Sequence, residues 1–214
     1  MLYLLANFFF YIYDLVFDLI YCGFHLQQNV NCVDAFSGYT SSQSCRYIIL
    51  RSIFKKMTLN SEYNFLDVGC GQGRVLAFLL RKKTRWKLTG IELNDRALKI
   101  CRRWSDGTEV KIIKMDVFNY DISNYDIFFL GHPFDSSHLL QFIKRIESEV
   151  KQKVLVIIVL DINMGSTISK RSRWSIIQQE LIDKYYFLPI LPKKNRFTIY
   201  SYSPVNYGNN KTSI

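Results

Sequence analysis

The chain is expected to fold as an α/β domain built on a doubly wound, mainly parallel sheet. Three features predict this. Short apolar runs alternate with amphipathic stretches from residue 65 onward, and a glycine-rich turn, Asp67–Gly73, joins the first run to the first stretch. The last two apolar runs are separated by too few residues for a crossover helix, so they pair antiparallel. Composition agrees: 214 residues suit one domain, and a chain 49% hydrophobic and 15% aromatic has ample material for a core.

The elements follow in order. Residues 44–57 place apolar side chains at helical spacing with bases between them. Phe65–Val68 is a short buried strand and Arg74–Leu80 a helix. Trp86–Leu93 reads as the second strand, Arg96–Trp104 as the second helix of the alternating region, and Val110–Met115 and Tyr125–Leu130 as further strands. Ser136–Val150 is amphipathic, with Leu139, Leu140, Phe142, Ile143 and Ile146 on or near one face. Val154–Leu160 is apolar throughout, which suits a strand buried on both faces. Arg173–Tyr185 is expected to be a helix, followed by strands Tyr186–Ile190 and Phe197–Tyr202 around a Pro-Lys-Lys-Asn-Arg turn.

Residues 1–20 are a separate problem. A secretory signal needs a basic start and a small-residue cleavage site, and neither is present. The length of ~20 residues suits a membrane span, but a central Asp14 would cost about 2.5–3.5 kcal/mol. Asn7, Tyr11, Asp14 and Asp18 recur every three or four residues, giving a narrow polar stripe on an otherwise apolar, mostly buried helix. Interfacial helices usually carry bases on that stripe. Acids there favour packing on the domain or a second copy, with peripheral membrane contact through residues 1–20, or a span, as the other readings.

Charge and cysteine content narrow the function classes. Net charge is +10, yet the first 45 residues carry −3 and the remainder +13. The bases fall in dispersed clusters without interleaved aromatics, so nucleic acid is a less favoured partner than a small molecule, glycan or protein. Five cysteines, odd in number and without a CxxC pair, argue against a disulfide framework or a zinc site and for a reducing, cytoplasmic setting. Three scattered histidines give no metal site.

The chemistry-bearing segment is Phe65-Leu66-Asp67-Val68-Gly69-Cys70-Gly71-Gln72-Gly73-Arg74. Its spacing is D-x-G-x-G-x-G, not the G-x-G-x-x-G of a diphosphate loop, and a carboxylate there repels phosphate but suits a cationic amino group. Glu92 ends the second strand and Asp116 the third. All three acids therefore meet at the carboxyl edge of the sheet, where such folds bind ligands.

Asp67–Gly73 resembles the first motif of class I S-adenosylmethionine (SAM)-dependent methyltransferases, whose fold is a seven-stranded Rossmann-like sheet. The resemblance spans residues 36–203, leaving 1–35 as a hydrophobic helix and linker and 204–214 as a tail. It implies SAM as cofactor, with Gly69, Gly71 and Gly73 under its methionine part and Asp67 close by. It further implies that Glu92 accepts from the ribose hydroxyls, with Leu93 beside it. Asp116 would meet the adenine amino group, with Val117 packed on the ring, and Tyr39, in the segment Ser37–Gln43, would cover the cofactor.

His132-Pro133-Phe134 occupies the substrate loop, similar to the Asn-Pro-Phe of small bacterial methyltransferases distantly similar to the non-SET histone-lysine methyltransferases. His132 is the candidate catalytic residue, able to orient or deprotonate an acceptor, and equally readable as an ordinary loop residue. The expected activity is methyl transfer to an oxygen or nitrogen nucleophile. The rival is a non-catalytic methyltransferase-fold subunit that recruits a partner through its N-terminal helix.

Overall fold

The computed structural model describes residues 2–26, 29–30, 42–55, 57, 61–159, 165–183 and 194–204. Seven strands make one sheet: β1 (Asn64–Val68), β2 (Lys87–Glu92), β3 (Lys111–Lys114), β4 (Ile127–Leu130), β5 (Val154–Val159), β6 (Trp174–Asp183) and β7 (Lys194–Tyr202). Their order is β3-β2-β1-β4-β5-β7-β6. The first five run parallel, and β7 lies antiparallel between β5 and β6. The chain thus winds outward from β1 in one direction and then from β4 in the other, leaving a crevice above the carboxyl ends of β1 and β4.

The helices are α1 (Leu2–Cys22), α2 (Tyr47–Phe54), α3 (Arg74–Arg81), α4 (Asp95–Ser105), α5 (Ser136–Glu149) and the short α6 (Gly165–Ser169). Alternate strand residues feed two cores, as the period of two requires. Phe65, Ile127, Phe129 and Ile157 join side chains of α2, α3 and α4 on one face. Leu66, Val68, Phe128, Val156 and Ile158 join Phe142, Ile143 and Ile146 of α5 on the other.

The expected helix over Arg173–Tyr185 is overturned: Trp174–Asp183 is the edge strand β6, paired antiparallel to β7. Its ladder skips Ile177, so Ile176 faces Tyr200 and Gln178 faces Ile199. One extra residue breaks the period of two, and Gln178-Gln179-Glu180-Leu181 favour helix intrinsically, so the pattern mimicked one. The antiparallel closing pair of the structure is β6 with β7, where Tyr186–Ile190 with Phe197–Tyr202 is the pair expected from the sequence. β7 also begins earlier than Phe197, taking in Lys194–Arg196 of the expected turn, while Tyr186–Ile190 lies outside the described residues.

α1 is not the mostly buried helix expected. Asp14 and Asp18 turn inward, while Phe8, Phe9, Ile12, Val16, Leu19 and Ile20 are exposed. A buried cation explains the inversion. Arg74, the first residue of α3, donates from Nε to Asp18 Oδ1 at 2.9 Å and from Nη2 to Asp18 Oδ2 at 2.7 Å. Asp18 also accepts from the Tyr47 hydroxyl at 2.9 Å and the Leu26 amide at 3.1 Å, and Asp14 accepts from the Tyr47 amide at 3.1 Å. Burial pulls the guanidinium's pKa down, but Asp18, with Asp14 and Tyr47, outweighs it and holds Arg74 above its usual value. Among the described residues no helix is long and apolar enough to cross a membrane.

Candidate functional site

The turn after β1 reverses the chain within a few residues, and the backbone shows how. Gly69, Gly71 and Gly73 all adopt left-handed conformations, with φ of +68°, +56° and +82°. A side chain at any of them would be strained. The Gly73 amide donates back to the Cys70 carbonyl at 2.8 Å, and the Cys70 amide to the Ile91 carbonyl on β2 at 2.9 Å. Trp104 of α4 donates from Nε1 to the Gln72 carbonyl at 2.8 Å. Two of the glycines also meet close neighbours: a Cβ at Gly69 would lie 2.7 Å from Pro133 Cβ, and one at Gly73 would lie 2.5 Å from Cys101 Sγ. The first contact brings the loop after β4 against the turn after β1.

Asp67 sits next to last in β1, between Gly90 of β2 and Phe129 of β4, and is 2% exposed. Its Oδ2 is buried and finds no hydrogen-bond partner among the described residues. Burial, and then the nearby Glu92, push its carboxyl well above the ordinary carboxylate range. An acid placed so is unsatisfied until a cationic or donor group arrives.

Glu92 uses its carboxylate on the backbone. Oε1 accepts from the amides of Leu93 and Asn94, and Oε2 from the amide of Gly71, all at 2.8 Å. The last bond ties the end of β2 to the glycine turn. About four lone-pair directions serve a carboxylate, so one remains for a ligand, and two ligand hydroxyls require Oε2 to let go of Gly71. Next door, Asp116 accepts at Oδ1 from the Phe118 amide at 2.9 Å and starts a short 3₁₀ turn containing buried Val117. Glu92 and Lys114 are paired across the sheet, so Leu93 and Met115 follow side by side, and both are exposed. Two exposed apolar side chains between two acids suit a flat ring with a polar edge. Arg145 of α5 fixes this rim, donating to the carbonyls of Val117 at 2.6 Å and Tyr120 at 2.8 Å.

The loop after β4 carries His132 exposed and left-handed, at φ +69°. Among non-glycine residues His is enriched in that conformation, so His132 suits this turn. Phe134 is buried against the rings of Phe118 at 5.5 Å and Phe142 at 5.7 Å. Asp135 caps α5 by accepting from the His138 amide at 2.9 Å. Backbone and side-chain bonds from His138 and Ser137 hold its carboxyl far below the usual range.

The structure thus brings Asp67, Gly69, Gly71, Gly73, Glu92, Leu93, Asp116, Val117, Pro133 and the His132 backbone to one sheet edge, while Tyr39 lies outside the described residues. Sequence reasoning missed Trp104 and Arg145, which hold the site without lining it; only their partners in space reveal them. Among the described residues no group of three His, Cys, Asp or Glu side chains could hold a metal ion.

Residues 65–153, which contain the glycine turn and both following acids, match the family model described as methyltransferase domain. That stretch of the chain is similar to the methyltransferase-domain family. The cofactor of that family is SAM. No curated protein matches the chain. Solved structures share the domain's fold at low identity. A methyltransferase from Pyrococcus furiosus is 14% identical with a TM-score of 0.57, covering 91% of this chain and 96% of its own. An RNA methyltransferase from Salinibacter ruber, in complex with S-adenosyl-L-homocysteine, is 17% identical at TM-score 0.55, covering 79% and 99%. TrmK of M. capricolum, also bound to S-adenosyl-homocysteine, is 15% identical at 0.51, covering 72% and 67%.

Proposed function

We propose that the domain binds SAM across the carboxyl ends of β1, β2 and β3. Its methyl group then moves to an oxygen or nitrogen of a small molecule, glycan or protein entering over Gly131–Phe134. The observation that carries this reading is Asp67 Oδ2, buried without a partner among the described residues beside three left-handed glycines. A carboxylate left so is costly, and the ammonium of SAM's methionine part is the group that relieves it. Gly69 is exposed at the turn and puts no side chain against that part, Glu92 has a free lone pair for the ribose, and Leu93, Met115, Val117 and Asp116 frame the adenine.

SAM supplies an already activated sulfonium methyl, so this chain's work is alignment and exclusion of water. That accounts for a site with no buried acid–base dyad among the described residues. His132 orients the acceptor, or takes its proton, at the mouth of the site. Its outward position beside Pro133, which packs on Gly69, supports that role.

Calorimetric titration of SAM tests the cofactor site. The native protein is expected to bind in the micromolar range, and Asp67→Asn and Glu92→Ala to weaken binding by at least about tenfold, the loss of one charge-assisted bond. Asp67 adds a sign to check. Its folded pKa lies above its unfolded value, so its contribution to stability is present at low pH and lost as pH rises through the folded pKa. An ammonium lowers that pKa, so SAM binding should release a proton in that window, and Asp67→Asn should abolish the release. A folded native protein that takes up no SAM refutes the reading.

His132→Gly keeps the left-handed backbone while deleting the imidazole. Methyl transfer is expected to fall about 10²-fold or more if the ring takes the proton, with SAM affinity unchanged. Equal transfer rates would return His132 to the loop.

A further inference from the structure

We propose that the outward face of α1 is a docking surface for an anionic lipid bilayer. Phe8, Phe9, Ile12, Val16, Leu19 and Ile20 are 37–69% exposed and recur at helical spacing, forming one face. At about 1.5 Å per residue this face extends about 18 Å along the helix. It contains no charge. The acids of α1, Asp14 and Asp18, are on the opposite side, locked to Arg74 and 2% and 0% exposed. The acidic stripe that argues against a membrane helix in the sequence is therefore absent from the exposed surface.

The rim supplies the opposite sign. Exposed Arg51 of α2 lies over the Phe17 ring at 4.5 Å and the Tyr13 ring at 5.6 Å, along one edge of the face. Exposed Arg81 of α3 donates from Nε to the Tyr21 carbonyl at 3.3 Å, and exposed Arg103 of α4 lies over the Phe24 ring at 4.4 Å, both at the C-terminal end. Bases that an interfacial helix would carry itself are lent by the domain beneath it. Charge also selects the occupant. A second copy would bring the same arginine-rimmed face against this one, like sign against like, whereas phosphate headgroups meet the arginines with opposite charge while acyl chains take the apolar side chains. Anchored from beneath by Asp14 and Asp18, α1 is held along the domain surface, so the protein lies on a bilayer and does not cross it.

Flotation of the full chain with vesicles tests this. Binding to vesicles of phosphatidylcholine with phosphatidylglycerol is expected to be at least about tenfold tighter than to phosphatidylcholine alone, and to weaken with salt. Phe9→Ser with Val16→Ser and Ile20→Ser should weaken it at least about tenfold, with circular dichroism and SAM affinity unchanged. Val16→Trp gives an independent readout: its emission should shift to the blue only with the anionic vesicles, against native Trp86, Trp104 and Trp174, which are already buried. Flotation with neither vesicle, equal flotation with both, or a stable dimer that the triple variant dissociates would each overturn the proposal.

Discussion

Asp18→Ala is expected to lower the unfolding free energy by about 3–5 kcal/mol, the cost of stranding one partner of a buried ion pair. The substitution strips Arg74 of both of its short bonds and leaves the Tyr47 hydroxyl and Leu26 amide without their acceptor. Asp14, whose nearest approach to Arg74 is 3.9 Å, cannot replace a bidentate grip. Urea denaturation measures the loss. Combining Asp18→Leu and Arg74→Met with Asp14→Asn should recover part of it, because that triple variant leaves none of the three charges in the core. A loss below about 1 kcal/mol would mean that the pair behaves like a surface bridge.

Gly73→Ala should damage both stability and SAM affinity. The left-handed backbone costs about 1–2 kcal/mol for a residue with a Cβ. The new methyl also meets Cys101 Sγ at 2.5 Å and Trp104 Cζ2 at 2.6 Å, and overpacking of that kind costs about 1–3 kcal/mol more. Because Trp104 holds the Gln72 carbonyl, its displacement moves the glycine turn, and SAM affinity should fall by about tenfold or more. Gly107→Ala is the control. It shares the left-handed conformation, at φ +73°, but a Cβ there meets nothing within 4 Å. It should lose stability alone, so equal affinity losses in the two variants would remove Trp104 from the account.

What was legible in the sequence was local or periodic. Phe65–Val68, Val154–Val159 and the turn between them and their helices announce themselves through unbroken apolar runs and glycine spacing, and the convergence of Asp67, Glu92 and Asp116 follows from parallel strands. What was not legible depends on partners distant along the chain. Asp14 and Asp18 read as an outward stripe because the cation that buries them stands 56 residues after Asp18. β6 read as a helix because a single bulge at Ile177 shifts its alternation, and only pairing with β7 reveals the strand. The free Oδ2 of Asp67 is likewise invisible in sequence: the residue's place at a strand end was clear, its isolation was not.

The Arg74–Asp18 clamp also sets an order of assembly during synthesis. Asp18 leaves the ribosome before Arg74, and at ~5–20 residues per second the 56-residue separation delays the partner by about 3–11 s. Over that interval Asp14 and Asp18 are solvated charges on an apolar helix, and the central Asp14 alone costs about 2.5–3.5 kcal/mol against insertion across a bilayer. The same two carboxylates thus disfavour membrane insertion of the nascent helix before they anchor it to the finished domain.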